Sequence, residues 1–246
     1  MRFPNKSHLR TDKIKRIKRE KIAVGYMEFK FLDWIEHAGF RLKLNGKTVY
    51  LDPFRLSTVK DRADSILITH PHLDHFSIED IKKVADEKTE IFVPKDSVSK
   101  LEGFNAIGVE PNKEYTTNGI RFRTVPAYNV VENRIHNHPK ASGWVGYIID
   151  ANGIRVYHAG DTDFIDEMHS IEADLALLPI GGSTYVMTVE EAIEASKAIK
   201  AKQYSPIHYR ALLGREGSKK AEELFTRMVK NGVVLEQIQE PRYSFQ

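Results

Sequence analysis

The run Thr69-His70-Pro71-His72-Leu73-Asp74-His75 places three imidazoles and one carboxylate within six positions. Imidazole nitrogen and carboxylate oxygen are donors that borderline divalent cations accept at about 2.0 to 2.2 Å, and a turn can fan such side chains toward two neighbouring ions. A merely exposed, histidine-rich turn does not require this density. The chain has no cysteine, so thiolate ligands and disulfides are both excluded and any metal must sit among nitrogen and oxygen donors. The chemistry that such a set supports is metal-assisted hydrolysis, in which bound water becomes a nucleophile near neutral pH without a serine or cysteine.

A cluster of this kind needs a rigid mount. The preceding run SILIT, residues 65–69, is short and almost wholly apolar, as expected of a strand buried on both faces, and it delivers His70 at its C-terminal end. Ser77-Ile78-Glu79-Asp80 opens a helix, IEDIKKVAD, with capping-box-like spacing, and IFVP beyond it resembles another buried strand, so the cluster belongs to a β-α-β unit. Upstream, FKFLDWI, FRLKLN and TVYLD are predicted strands, with Phe40, Leu42 and Leu44 alternating, a hairpin turn at Asn45-Gly46 and a stop at Asp52-Pro53. Downstream come the predicted strands GIRFRTVPA, GWVGYIIDANG and IRVYHAGD, with Asn152-Gly153 as a second hairpin turn. The chain then alternates: DLALLPIGG, the helix TVEEAIEASKAIKA, the strand QYSPIH and the helix SKKAEELFTRMVKNG, with Gly232 as its C-terminal cap. Two successive halves thus supply strands followed by helices. The expected fold is α/β (α+β), two mixed β-sheets packed face to face with helices outside, a four-layer αββα sandwich.

Further matches appear in a fixed order. They are Glu36-His37-Ala38, Leu51-Asp52-Pro53, the histidine cluster, His138-Pro139-Lys140, Tyr157-His158-Ala159-Gly160-Asp161-Thr162, Leu178-Pro179-Ile180-Gly181-Gly182 and Pro206-Ile207-His208-Tyr209. Together, from about Phe29 to His208, they resemble the metallo-β-lactamase superfamily, and within it the branch of metal-dependent hydrolases that includes the L-ascorbate-6-phosphate lactonases. Glu36 stands where that branch usually has glycine. The resemblance implies that His70, His72 and His138 hold one metal, that Asp74, His75 and His208 hold a second, and that Asp161 bridges them. It also implies that Asp52 supports the cluster loop by hydrogen bonds. His136 competes with His138 within RIHNHPK, and the branch's His-Pro-Lys pattern favours His138. His37, His136, Lys140, Tyr185, Tyr209 and Arg210 are candidates for a supporting or substrate-contacting role. His158 fits a structural histidine, and His8 and His169 fit the surface.

The expected cofactors are two divalent ions, zinc, manganese or iron, because imidazole and carboxylate suit all three. The expected activity is cleavage of an ester, lactone or phosphoester by a hydroxide bridging the ions, with Asp74 orienting it. The nearest named relatives point to a small phosphorylated substrate whose phosphate would meet Lys140 or Arg210. A nucleic-acid phosphodiesterase and a metal-binding scaffold without turnover are the alternatives. The net charge of +3 hides a basic start, nine Lys or Arg against Asp12 and Glu20 in residues 1–21, which leaves the rest of the chain acidic. Residues 1–26 are therefore expected to be a basic N-terminal extension, and 27–246 a single hydrolase domain. No apolar run is long enough to cross a bilayer and the start lacks a secretory signal, so a cytoplasmic location is expected.

Overall fold

The computed structural model describes residues 29–57, 61–151 and 153–245. Residues Phe31–Gln246 form one compact unit. The basic extension expected over 1–26, and His8 within it, lie outside the described residues.

The first half of this unit builds one six-stranded sheet and the second half another. Strands β1 (Leu32–Glu36), β2 (Gly39–Leu44) and β3 (Lys47–Leu51) form an antiparallel meander. Asn45 and Gly46 both take positive φ, 53° and 76°, between β2 and β3, as a two-residue hairpin turn requires. Strands β4 (Ser65–Leu67), β5 (Glu90–Pro94) and β6 (Asn105–Val109) then add in parallel, giving the order β1-β2-β3-β4-β5-β6. The second sheet repeats the plan in reverse. Strands β7 (Glu114–Thr117), β8 (Ile120–Pro126), β9 (Val145–Ala151) and β10 (Ile154–His158) are antiparallel, and β11 (Glu172–Pro179) and β12 (Lys200–Ile207) continue in parallel, giving the order β12-β11-β10-β9-β8-β7.

Period-two alternation explains why each sheet has two buried faces. Ile66, Ile91 and Val93 pack in a core cluster with Ile81 and Val84 of helix α1 (Ile78–Val84). The alternate residue Phe92 points the other way, against Phe122 of β8 at a ring separation of 4.9 Å. The two sheets are therefore face to face with α1 outside the first. Helices α2 (Val189–Ala198) and α3 (Arg210–Met228) pack against β12. Among the described residues no helix is long and apolar enough to cross a membrane.

Several boundaries differ from expectation. Strands β6 and β7 were not expected: both are short sheet edges with few buried side chains, so their apolar pattern is faint. The helix expected to run to Ala201 stops at Ala198, because Lys200 and Ala201 pair with Glu172 and Ala173 of β11. Helix α3 begins at Arg210 rather than Ser218, with a break at Gly214 (φ 64°, ψ −179°). After it Asn231, not Gly232, takes the left-handed conformation, and Gly232 bridges to Tyr204.

Candidate metal centre

Nearly every side chain singled out for chemistry follows the C-terminal end of a strand. His37 follows β1, Asp52 follows β3, His70 to His75 follow β4, the loop to His138 follows β8, Asp161 follows β10, and His208 follows β12. The sheets are tied together just beneath these ends. Tyr147 Oη donates to Ile68 O at 2.7 Å, and Val145 N donates to Thr69 O at 3.1 Å. Gly160, just before Asp161, has φ 66°, and a Cβ there would come within 3.0 Å of Val145 O, so the approach of this turn to β9 needs glycine.

Local hydrogen bonds fix which ring nitrogen of His70, His75 and His138 faces inward. Asp52 is fully buried and accepts from Thr69 N at 2.8 Å, Thr69 Oγ1 at 2.6 Å and His75 Nδ1 at 2.7 Å. With its own proton given to Asp52, the Thr69 hydroxyl accepts from His70 Nδ1 at 3.0 Å. His138 Nδ1 donates to Asn129 Oδ1 at 2.6 Å. In each case Nδ1 is turned outward to an acceptor and Nε2 faces the centre, the arrangement that outer partners impose on metal-ligating imidazoles. His72 instead brings Nδ1 inward, 3.0 Å from His70 Nε2.

These inward atoms converge. Asp161 lies 3.3 Å from His75 Nε2, 3.0 Å from His208 Nε2, 3.5 Å from His138 Nε2 and 3.9 Å from His70 Nε2. Asp74 Oδ2 accepts from His37 Nε2 at 3.1 Å and lies 3.6 Å from His208 Nε2. Three overlapping donor groups result, each with its ligand atoms within 4.8 Å of one another: His70, His72 and His138; His70, His75 and Asp161; and His37, Asp74, His75 and His208. Nε2 of His75, His138 and His208 and Oδ1 of Asp161 are buried with no hydrogen-bond partner among the described residues. Such orphaned polar atoms are destabilising unless something satisfies them, and a divalent cation is a partner that this donor set fits.

Charge is divided across the centre. Burial lowers the pKa of His70 well below the usual histidine range, lowers that of His72, and brings His138 to about 4, so this trio is neutral at pH 7. Burial and the His208 imidazole bring His37 to about 4. Burial disfavours charge on His75 and His208 as well, but the Asp161 carboxylate outweighs it, raising His208 and holding His75 well above its ordinary value. Burial opposes ionisation of Asp161 and Asp74 too, yet the facing imidazoles keep both carboxyls ionised, far below their usual range.

The loop that carries His138 is clamped from inside. Arg134 is buried; its Nε donates to Asp163 Oδ1 at 2.6 Å, and another guanidinium nitrogen donates to Glu191 Oε2 at 2.7 Å. Asp163 also accepts from Val130 N at 2.7 Å and Val131 N at 2.9 Å. Neither Arg134 nor Asn129 was singled out in the sequence, although Asp163 lies only two residues beyond Asp161.

Not every candidate reaches the centre. His136 is exposed while His138 is buried, which separates the two competitors. Lys140 Nζ donates to Tyr128 Oη at 2.9 Å and to Glu167 at 3.2 Å, outside the site. Tyr209 is buried and donates to Glu222 at 2.5 Å, and the Arg210 guanidinium stacks on Trp34 at 4.5 Å while bonding Glu222 and Gln237. Lys140, Tyr209 and Arg210 thus each have partners on the protein, and none of them lines the central cavity. Tyr185 does border the central cavity. His158 is buried, with Nε2 donating to Ala38 O at 2.8 Å, and His169 is exposed.

The comparisons agree with this geometry. Residues 31–208 match the beta-lactamase superfamily domain. A UPF0173 metal-dependent hydrolase of Thermoplasma acidophilum is 35% identical over 190 residues, covering 72% of this chain and 81% of its own. A second, from Methanoculleus marisnigri, is 33% identical over 188 residues, 72% of this chain and 80% of its own. Among solved structures, Igni18, a metallo hydrolase from Ignicoccus hospitalis, superposes with a TM-score of 0.67 at 25% identity, over 83% of this chain and 94% of its own. CmlA, a diiron β-hydroxylase from Streptomyces venezuelae, shares the fold with a TM-score of 0.68 at 17% identity, over 87% of this chain and 53% of its own. By its domain match and its relatives, this chain belongs to the beta-lactamase superfamily and, within it, to the UPF0173 metal-dependent hydrolases.

Proposed function

We propose that the chain is a binuclear hydrolase in which His70, His72 and His138 hold one divalent ion, Asp74, His75 and His208 hold another, and Asp161 is shared. The observation that carries this reading is the set of buried, unpartnered Nε2 and Oδ1 atoms that converge from both sheets. Zinc, manganese and iron all suit these donors. When bound, a pair of such ions supplies Lewis acidity and a shared hydroxide, a nucleophile at neutral pH for an ester, lactone or phosphoester bond.

The protein's own part is positioning. His37 donates to Asp74 Oδ2, which fixes the carboxylate that borders the cavity and lets it orient the attacking oxygen. Asp52, Thr69 and Asn129 fix the imidazole rings from behind.

The purified protein is expected to carry close to two equivalents of divalent metal by elemental analysis. Asp161→Asn should lose at least one of them, and hydrolysis should fall by more than the ~100-fold typical of an outer-shell change. Full activity in thoroughly chelated protein would remove the reading.

A further inference from the structure

We infer that the substrate presents an apolar group to this site, and that the C-terminal segment completes the wall that receives it. The inference rests on the hydrolytic reading for its reaction, though not for its binding. A cavity of about 400 Å³ opens over the centre, with Asp74, Asp161 and His208 in its floor. That volume suits a small molecule. Phe54, Leu73, Tyr185, Leu212 and Phe245 form most of its walls, with His72, Asn137 and His138 beside them, and no lysine or arginine among the described residues lines it.

Apolar side chains at this position are otherwise hard to account for. Leu73 lies inside the histidine run, between His72 and Asp74, and is 83% exposed. Tyr185 and Phe245 are each 44% exposed. Exposed apolar surface gathered around a polar floor is a binding feature. Neighbouring cations have partners on the protein. The Arg55 guanidinium donates to Ser244 O at 2.9 Å and Phe245 O at 2.7 Å, and lies over the rings of Phe54 and Phe245. Lys140 and Arg210 are paired elsewhere.

A built strap brings Phe245 to the cavity. Gln237 bridges to Trp34, and Ile238 N donates to Trp34 O at 2.9 Å. The Gln239 side chain donates to Arg55 O at 3.0 Å and accepts from Ser57 Oγ at 3.0 Å. Arg55 then holds the Ser244 and Phe245 carbonyls, and Phe245 meets His37 edge-on at 5.4 Å. The wall joins residues inside the shared superfamily match, Phe54, Leu73 and Tyr185, to two beyond its end at residue 208, Leu212 and Phe245. An acyl or alkyl chain, not a phosphate, complements it.

The test uses the metal-loaded full chain, p-nitrophenyl esters from acetate to octanoate, the matching free carboxylates as calorimetric ligands, and phosphogluconolactone against gluconolactone. Both kcat/KM and carboxylate affinity should rise by roughly four-fold per methylene until the cavity is filled, and the phosphate should bring no gain. Phe245→Ala and Leu73→Ser replace exposed residues, so fold and metal content persist, and both should flatten the chain-length slope. A flat slope in the unaltered protein, or preference for the phosphorylated lactone, overturns the inference. If no ester or lactone is cleaved while carboxylate affinity still climbs with length, cleavage of carboxylic esters falls and the apolar wall stands.

Discussion

His75 and His208 face one carboxylate, Asp161, from different sheets, and both are raised above the ordinary histidine range despite burial. The shifts favour a proton on each ring, which a cation must displace. Loading should therefore release protons from these two residues, read by titration calorimetry in buffers of different ionisation enthalpy. The sign follows from the direction of the shifts: acidification favours the protonated imidazoles and weakens binding, and rising pH relieves the competition. The site of His70, His72 and His138 behaves differently, because its imidazoles are already neutral. As pH falls from 7 toward the His138 value of about 4, it should keep its metal longer than its neighbour. Proton-silent loading at neutral pH would contradict this division. These residues were legible in the sequence because they sit in short motifs with unmistakable donor chemistry. Asn129 and Phe245 were not, since an asparagine behind a histidine and a phenylalanine on a strap become meaningful only through their neighbours in space.

At the scale of elements, the loop between β8 and β9 owes its shape to Arg134. Removing that guanidinium by Arg134→Met leaves Asp163 buried without its main counter-charge, at a cost of about 3 kcal/mol in unfolding free energy. The same change should weaken the His138 site, so denaturant unfolding and metal titration should move together. Normal stability with normal affinity would show that the loop is held otherwise. Hairpins were the most legible elements, since Asn45-Gly46 has two positive φ values that few other dipeptides tolerate. The same dipeptide at Asn118-Gly119, also with two positive φ values, turns between β7 and β8, but the edge strand β7 buries too little for its apolar pattern to flank the turn. Where local preference and sheet pairing competed, as at Lys200 and Ala201, pairing won.

Across the whole molecule, ions held by His70 to His75 on one side and by His138, Asp161 and His208 on the other would tie the two sheets together. Ligands that bind only the folded state stabilise it by mass action, about 2.7 kcal/mol at a hundred-fold excess over Kd. Chelation should accordingly lower the melting temperature by roughly 5 to 10 °C for a chain of this size, measurable by scanning fluorimetry. An unchanged melting temperature would mean that the sheets do not share a metal. The two-layer plan could be anticipated because each sheet is drawn from one uninterrupted stretch of chain, 32–109 and 114–207, with no strand exchanged between them.

That contiguity has a temporal side. The ribosome finishes all six strands of the first sheet before any strand of the second exists, yet that half carries only His70, His72, Asp74 and His75 of the proposed ligand set. A nascent chain is thus an open, low-denticity chelator until His208 emerges, and secure capture of the ions coincides with closure of the sandwich as one late event of biogenesis.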